Sequence, residues 1–134
     1  MIKLVIYFLI VPFISVAQKY SCGTDNLPKK KSSQNEVMTC FHDSLQSSFR
    51  ITVPIKVASH YHLFHTENIF VIQGKAEMLL GNEKLIIRKG NHITIPKGTI
   101  HAVLKVKSKK PLVVISVQAP FFDGTDRILV NPNN

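Results

Sequence analysis

Three histidines and one glutamate stand at spacings that suit a metal ion. His60 and His62 are two residues apart, and such residues on a β-strand point to the same face, about 6.5 Å apart. Glu67 follows where a short turn returns its carboxylate to that ion, and His101 opens a later segment. Three imidazoles and a carboxylate suit several divalent first-row metals without selecting one. The sequence therefore predicts one metal site on these four residues.

The segments that carry these residues have the pattern of short β-strands. Apolar and polar residues alternate from Phe49 to Val57, which predicts a half-buried strand, with Pro54 indicating an edge position or a bulge. Further strands are predicted at 68–73, 75–80, 83–88, 92–95, 100–106, 112–118 and, as a final edge strand, 128–130. Turn residues separate them at intervals of about eight to twelve residues, and no long helix is indicated. This pattern is typical of an all-β sandwich or barrel.

Two motifs in this region resemble those of the cupin superfamily. The first is His60-x-His62, four residues, Glu67, six residues and Gly74; the second is Gly90, five residues, Pro96-x-Gly98, two residues and His101. The fifteen residues between them match the short spacing of compact single-domain cupins. The resemblance implies an antiparallel double-sheet jelly-roll barrel of six to eight strands over 49–118. It also implies a metal near one mouth of that barrel, and corners made by glycines 74, 81, 90 and 98.

A few positions depart from the cupin pattern or lie outside it. Pro54 and Asn91 replace a glycine and an acidic residue that are frequent in the family, and Lys105 replaces a frequent asparagine. We expect Lys105 to point outward at the end of its strand. The family does not require His65 as a ligand, so we expect it in a loop or in a supporting hydrogen bond. The remaining histidines are expected to be structural or exposed: His42 and His92.

The resemblance also implies a range of functions. The expected cofactor is one divalent ion of iron, manganese, nickel, copper or zinc, and the expected partner is a small-molecule ligand or substrate. The first hypothesis is a metal-dependent enzyme with dioxygenase-like or isomerase/lyase-like chemistry. The alternatives are a non-catalytic small-molecule or carbohydrate binding module, or a metal that only stabilises the barrel. A largely apolar cavity wall is predicted from Phe64, Ile69, Val71, Met78, Ile95 and Val103.

The start of the chain has the features of a secretory signal peptide. Lys3 precedes a mostly apolar run from Leu4 to Ile14, and Ser15-Val16-Ala17 supplies the small residues of a cleavage site. The run is shorter than the roughly 20 residues of a membrane span. We expect residues 1–17 to be removed and the mature protein, without a membrane anchor, to be exported to the periplasm or the extracellular space. A retained N-terminal anchor, a buried first strand and a lipoprotein modified on Cys22 are the alternatives.

The remaining segments flank the predicted barrel. Residues 18–48 are polar and basic without sustained periodicity, which predicts an irregular arm with a short strand or turn of helix within 37–48. Because cupins commonly pair through edge strands, this arm is a candidate for strand exchange in a homodimer. Residues 119–134 are predicted to form a tail that packs back on the barrel. In an oxidising compartment Cys22 and Cys40 favour a disulfide, with two free thiols as the alternative.

The positive charge of the chain does not indicate a nucleic-acid partner. The formal net charge is +9, and the lysines concentrate at Lys29–Lys31 and between Lys105 and Lys110. Neither group is interleaved with aromatic residues for base stacking, and no helical nucleic-acid motif is present. These lysines are interpreted as solvated surface charge on a single domain.

Overall fold

The structure is a computed structural model, and it describes residues 22–130. The predicted signal peptide at 1–17 lies outside the described residues. Ten strands were assigned: β1 Glu36–His42, β2 Ser47–Val53, β3 Val57–Tyr61, β4 Thr66–Gln73, β5 Lys75–Leu80, β6 Glu83–Arg88, β7 His92–Ile95, β8 His101–Val106, β9 Leu112–Ala119 and β10 Ile128–Leu129. Residues 22–130 contain no helix, and hence none that could cross a membrane.

The strands form two five-stranded sheets in which every pairing is antiparallel. One sheet has the order β1-β2-β9-β4-β7, and the other has the order β10-β3-β8-β5-β6. The all-β double-sheet prediction is confirmed, but the strand number exceeds the expected six to eight. The additional strands lie at the two ends of the described chain, where β1 and β10 extend the sheets.

The first sheet begins earlier in the chain than the sequence predicts. Residues 22–35 contain no strand, but Glu36–His42 form β1, which pairs with β2 so that Val37 lies opposite Ile51. Most of β1 is exposed because it is an edge strand, so its sequence lacks the alternation that marks a half-buried strand. The predicted disulfide is present: Cys22 is bonded to Cys40, with their Cα atoms 5.1 Å apart.

The single strand predicted from Phe49 to Val57 is divided between the two sheets. β2 ends at Val53 in one sheet, and β3 begins at Val57 in the other. Pro54 lies in the connection, where its missing N–H does not interrupt a strand ladder. The alternation of apolar residues continues through this connection, which is why the pattern alone indicated one strand.

The core lies between the two sheets and is largely aliphatic. Its buried members are Val53, Ile69, Val71, Ala76, Met78, Ile87, Ile93, Ile95, Val103, Val106, Leu112 and Val114. Each fully buried aliphatic side chain of this kind contributes about 1.5–3 kcal/mol to stability. The inward faces of β2 and of β4 to β9 supply these residues, so the core fixes which side chains of the same strands face the interior.

Gly74 allows β4 and β9 to approach closely at one end of the barrel. Its φ is +91°, and a Cβ atom there would lie 2.7 Å from the carbonyl oxygen of Pro111 and 2.9 Å from the Cα of Leu112. Both the left-handed backbone and the close neighbour exclude a side chain. This glycine of the first motif therefore has a packing function, remote from the histidines of that motif.

The tail after β9 returns to the barrel. Phe122 lies edge-on to Phe49 with ring centroids 6.1 Å apart. Ser47 Oγ accepts a hydrogen bond from the backbone N–H of Phe122 at 3.0 Å. The chain then enters β10, which pairs with β3 so that Leu129 lies opposite His60. The tail therefore passes directly beside the predicted metal site.

Candidate metal centre

The four predicted ligands come from three neighbouring segments of the barrel. His60 and His101 lie opposite each other in the β3–β8 pairing, His62 follows β3, and Glu67 lies in β4. All four side chains are buried, with residue exposures of 6% or less. Gly98 N donates to the carbonyl of His62 at 2.6 Å, which ties the segment before β8 to the one after β3. The fold thus brings both motifs to one end of the barrel.

The three histidines are close enough to share one ion. Their nearest ring nitrogens all lie within 4.8 Å of one another. Glu67 Oε2 is 3.2 Å from Nε2 of His101 and 3.7 Å from Nε2 of His62. Three neutral imidazoles and a carboxylate are a donor set for a divalent first-row metal. Glu67 lies beside the histidine group, and its coordination of an ion stays a prediction.

Backbone carbonyls orient all three imidazoles in the same way. Each Nδ1 faces a carbonyl oxygen: Ala58 for His60 at 2.8 Å, Thr99 for His101 at 2.9 Å, and Asp126 for His62. Because a carbonyl only accepts hydrogen bonds, each Nδ1 carries a proton, and in the neutral imidazole Nε2 then keeps its lone pair. This is the arrangement by which proteins orient histidine ligands of metals.

The unsatisfied polar atoms of the site support the same interpretation. Nε2 of His62 and Nε2 of His101 are buried, and neither has a hydrogen-bond partner in the described part of the chain. A buried polar atom without a partner costs about 1–3 kcal/mol. A metal ion would satisfy both lone pairs, so the residues present fit the group that the sequence predicts.

Glu67 is held as an anion in spite of its burial. Burial acts to raise the pKa of Glu67, but the neighbouring imidazoles of His101 and His62 and the hydroxyl of Ser116 outweigh it and lower that pKa. Ser116 Oγ donates to Glu67 Oε1 at 2.5 Å, which leaves Oε2 directed at the histidines. The carboxylate is therefore ionised and oriented before any ligand arrives.

The environments of His60 and His62 differ. Burial, followed by the proximity of His101, lowers the pKa of His60 to about 4. Burial also acts to lower the pKa of His62, but Glu67 and Asp126 outweigh it and raise that pKa. His60 is therefore neutral near pH 7, as a metal ligand must be.

Asp126 supports the centre, although no sequence pattern indicated it. Its carboxylate accepts hydrogen bonds from the backbone N–H groups of Leu63 and Phe64 at 2.9 and 2.8 Å. It also lies 2.5 Å from Nδ1 of His65. Burial acts to raise the pKa of Asp126, but His65 and the two N–H groups lower it to about 2. Asp126 follows a turn in a tail without periodicity, so no local pattern marks it.

The other polar positions occupy the places that the sequence predicted for them. His65 makes hydrogen bonds to Asp126 and to the carbonyl of Phe121, so it supports the site, as predicted. His92 is exposed and stacks on Phe70 with centroids 4.4 Å apart. Lys105 is exposed opposite Glu77 in the β5–β8 pairing. His42 is also exposed.

A cavity of about 350 Å³ opens beside the histidines. Of the predicted wall residues, Ile69, Met78 and Val103 line it. The prediction is wrong for three others, namely Phe64, Val71 and Ile95. Phe64 is 70% exposed, while Val71 and Ile95 are buried in the core without contributing to the lining. The loop after β3 turns Phe64 outward, which a strand-based pattern does not reveal.

Comparison with known proteins shows the family. The Cupin domain family matches residues 50–118, which are about half of the chain, and the protein therefore belongs to the cupin family. An uncharacterized protein of Aquifex aeolicus is 30% identical over 84 residues, covering 63% of this chain and 68% of that protein. The Xanthan biosynthesis protein XanB of Xanthomonas campestris is 34% identical over 84 residues, but the match spans only 17% of its length.

Solved structures share the fold at low sequence identity. A Klebsiella pneumoniae protein with a double-stranded β-helix domain has a TM-score of 0.62 and 20% identity, covering 89% of this chain and 97% of that one. Streptomyces Pac13, described as a nucleoside dehydratase, has a TM-score of 0.62 and 18% identity, and the match covers 72% of this chain and 78% of that one. At these identities the likeness establishes the double-sheet barrel and no particular activity.

Proposed function

We propose that this cupin is a metal-dependent enzyme that acts on a small organic molecule. The ion would be held by His60, His62 and His101, with Glu67 as the fourth ligand. The proposal rests on one observation: three buried imidazoles, each oriented through its Nδ1, lie at the wall of a cavity that is large enough for a small molecule. A divalent ion there would supply Lewis acidity to a bound substrate.

The residues of the chain have defined tasks in this proposal. The backbone carbonyls of Ala58, Thr99 and Asp126 keep the three Nε2 atoms directed at one point. The apolar wall of the cavity excludes water from most of the bound molecule. An ion held by these four residues would keep positions for substrate or water if it binds six ligands, as metal catalysis requires. Pac13 supports the proposal as a structurally similar barrel that is described as a dehydratase.

Turnover by protein of measured metal content tests this function. The purified protein is incubated with panels of flavonols, small diketones, unsaturated uronates and nucleosides, while oxygen uptake and product mass are followed. We expect product from at least one panel, and we expect Glu67→Ala to abolish it. Glu83→Ala removes an exposed carboxylate of β6 and serves as the matched control. Equal turnover in the Glu67→Ala variant would contradict a function that depends on this centre.

A binding module without turnover is the second candidate. The titratable side chains that line the cavity are the three histidines, Glu67 and Arg127. No further acid or base of the described residues is therefore available to transfer protons once the metal ligands are engaged. Tight binding of a compound without product, unchanged in the Glu67→Ala variant, would favour this candidate.

We also propose that the protein is exported and that its mature form begins at Gln18. The features of residues 1–17 and the Cys22–Cys40 disulfide support export, because disulfides persist in oxidising compartments. Intact-mass analysis of protein from the host's periplasm and medium tests this. A mass that includes Met1–Ala17 would contradict cleavage, and a lipid adduct on Cys22 would indicate a lipoprotein.

A homodimer through the edge strands is proposed on the family resemblance and is tested by light scattering.

A further inference from the structure

Most of the polar groups that line the cavity already have partners. Outside the three histidines and Glu67, the polar lining consists of Asn35, Gln118 and Arg127. Asn35 Nδ2 donates to the carbonyl of Lys56 at 3.1 Å. Neither Gln118 nor Arg127 makes a side-chain hydrogen bond or an ion pair within residues 22–130, so the hydrogen-bonding capacity of both side chains is open to a ligand.

Gln118 is buried beside the metal centre with an unpaired oxygen. It lies opposite Glu67 in the β4–β9 pairing and opposite Ser47 in the β2–β9 pairing, so its side chain projects from the same face as that of Glu67. The residue is only 5% exposed, and its Oε1 has no hydrogen-bond partner among residues 22–130. A ligand hydroxyl both donates and accepts, so it satisfies either end of the amide.

Arg127 places a positive charge at the same cavity. It follows Asp126 in the tail, and none of the ion pairs among the described residues includes it. It lines the cavity together with His60 and His101. The planar guanidinium matches a carboxylate in a two-point hydrogen bond.

The rest of the lining is apolar and suits a carbon skeleton. Val57, Ile69, Met78 and Val103 are among the residues that form it. With a divalent ion on the histidines and Glu67, the cavity carries net positive charge, which favours an anionic ligand. A single arginine suits one carboxylate better than it suits a multiply charged phosphate.

We propose that the cavity binds a small hydroxycarboxylic acid, with Arg127 contacting the carboxylate, Gln118 contacting the hydroxyl and the aliphatic wall enclosing the carbon skeleton. This inference rests on the proposed function and specifies its substrate class. It assigns specificity to two residues outside both cupin motifs.

Three matched compounds separate the contributions of the two residues. Mandelate carries both groups, mandelamide lacks the charge and phenylacetate lacks the hydroxyl. Binding to the purified protein is measured by calorimetry, and metal content is determined for every sample. We expect mandelate to bind about tenfold more tightly than either analogue, as for one charge-assisted or one buried hydrogen bond.

Two variants and a control test the assignment. Arg127→Gln is expected to remove the preference for mandelate over mandelamide. Gln118→Met is expected to remove the preference for mandelate over phenylacetate. Both variants should retain the metal. Arg88→Gln removes an exposed arginine of β6 that does not line the cavity, and it should keep both preferences.

The outcomes distinguish this inference from the proposed function. An unchanged preference in Arg127→Gln or Gln118→Met, or failure of all three compounds to bind the wild-type protein at millimolar concentration, would overturn the assignment. A different result would separate the two proposals: each preference is lost in its variant, but mandelate binds equally well after His60 and His62 are both replaced by alanine. That result would support the hydroxycarboxylate site and contradict the metal-dependent function.

Discussion

The two ends of the barrel differ in the kind of side chains that they bury. At the metal end lie the histidines, Glu67 and Gln118, supported by the tail through Asp126. At the other end, here called the apolar end, Val71, Ala76 and Val106 are buried around the close approach of Gly74 to Pro111. The same strands connect both ends.

The apolar end contributes mainly to the stability of the fold, whereas the metal end carries the groups available for chemistry. The burial at the apolar end is mainly aliphatic and includes no ionisable group of residues 22–130, so it contributes favourable free energy with little electrostatic cost. The metal end retains unpaired Nε2 atoms and an unpaired amide oxygen, which are unfavourable until a ligand arrives. We therefore expect replacement of the histidines at the metal end to alter binding with little effect on folding, and changes at the apolar end to alter folding with little effect on binding.

Replacement of both His60 and His62 by alanine should have the largest effect. We expect complete loss of stoichiometric metal, because only one of the three clustered imidazoles remains, together with a retained β-rich fold. Elemental analysis and circular dichroism measure the two quantities. The double replacement of His42 and His92 by alanine is the matched control and should leave metal content unchanged. A full complement of metal in the His60/His62 variant would show that the ligands lie elsewhere.

Gly74→Ala tests the apolar end. The added Cβ meets backbone atoms of Pro111 and Leu112 at a positive φ, so we expect the free energy of unfolding to fall by about 3 kcal/mol. Denaturant unfolding gives the value. Gly81→Ala is the control: its φ is +58° but a Cβ there meets nothing within 4 Å, so its loss should be about 1 kcal/mol. Equal losses for the two variants would argue against the close approach at Gly74.

Asp126→Ala should weaken metal binding without removing it. The carboxylate holds the loop after β3 through Leu63 and Phe64, and the carbonyl of the same residue orients His62. Loss of such a supporting residue reduces metal affinity about tenfold. Competition with a chelating dye measures the affinity. Asp123→Asn, an exposed aspartate of the same tail, should bind metal as the wild type does.

Two neighbouring substitutions on β9 should have small effects of opposite sign. Gln118→Met removes the amide with the unpaired oxygen, so we expect the free energy of unfolding to rise by up to about 1 kcal/mol. Ser116→Ala leaves Glu67 Oε1 without its donor, so stability should fall by about 1–2 kcal/mol. Thermal unfolding of the two variants, measured side by side with the wild type, gives the sign and size of both changes. A loss of stability in Gln118→Met would mean that the amide has a structural partner.

The sequence predicted the metal end better than its surroundings. Strands β5, β6 and β7 have the predicted bounds, because each alternates between two short turns and needs no distant information. The grouping of His60, His62, Glu67 and His101 was also predicted, because their order and spacing match the cupin motifs. The edge strand β1 was predicted only as a short strand or turn of helix within 37–48, because an exposed edge strand has no apolar alternation.

Local pattern therefore determined the barrel class and the residues of the centre, since alternation, turn glycines and motif spacing are properties of consecutive residues. Only the tertiary structure decided which groups support that centre. Asp126 lies 64 residues from His62 in the chain, and Gln118 lies opposite Glu67 only through the β4–β9 pairing. Contacts between distant residues depend on how the sheets pair and where the tail returns, and no short stretch of sequence records either.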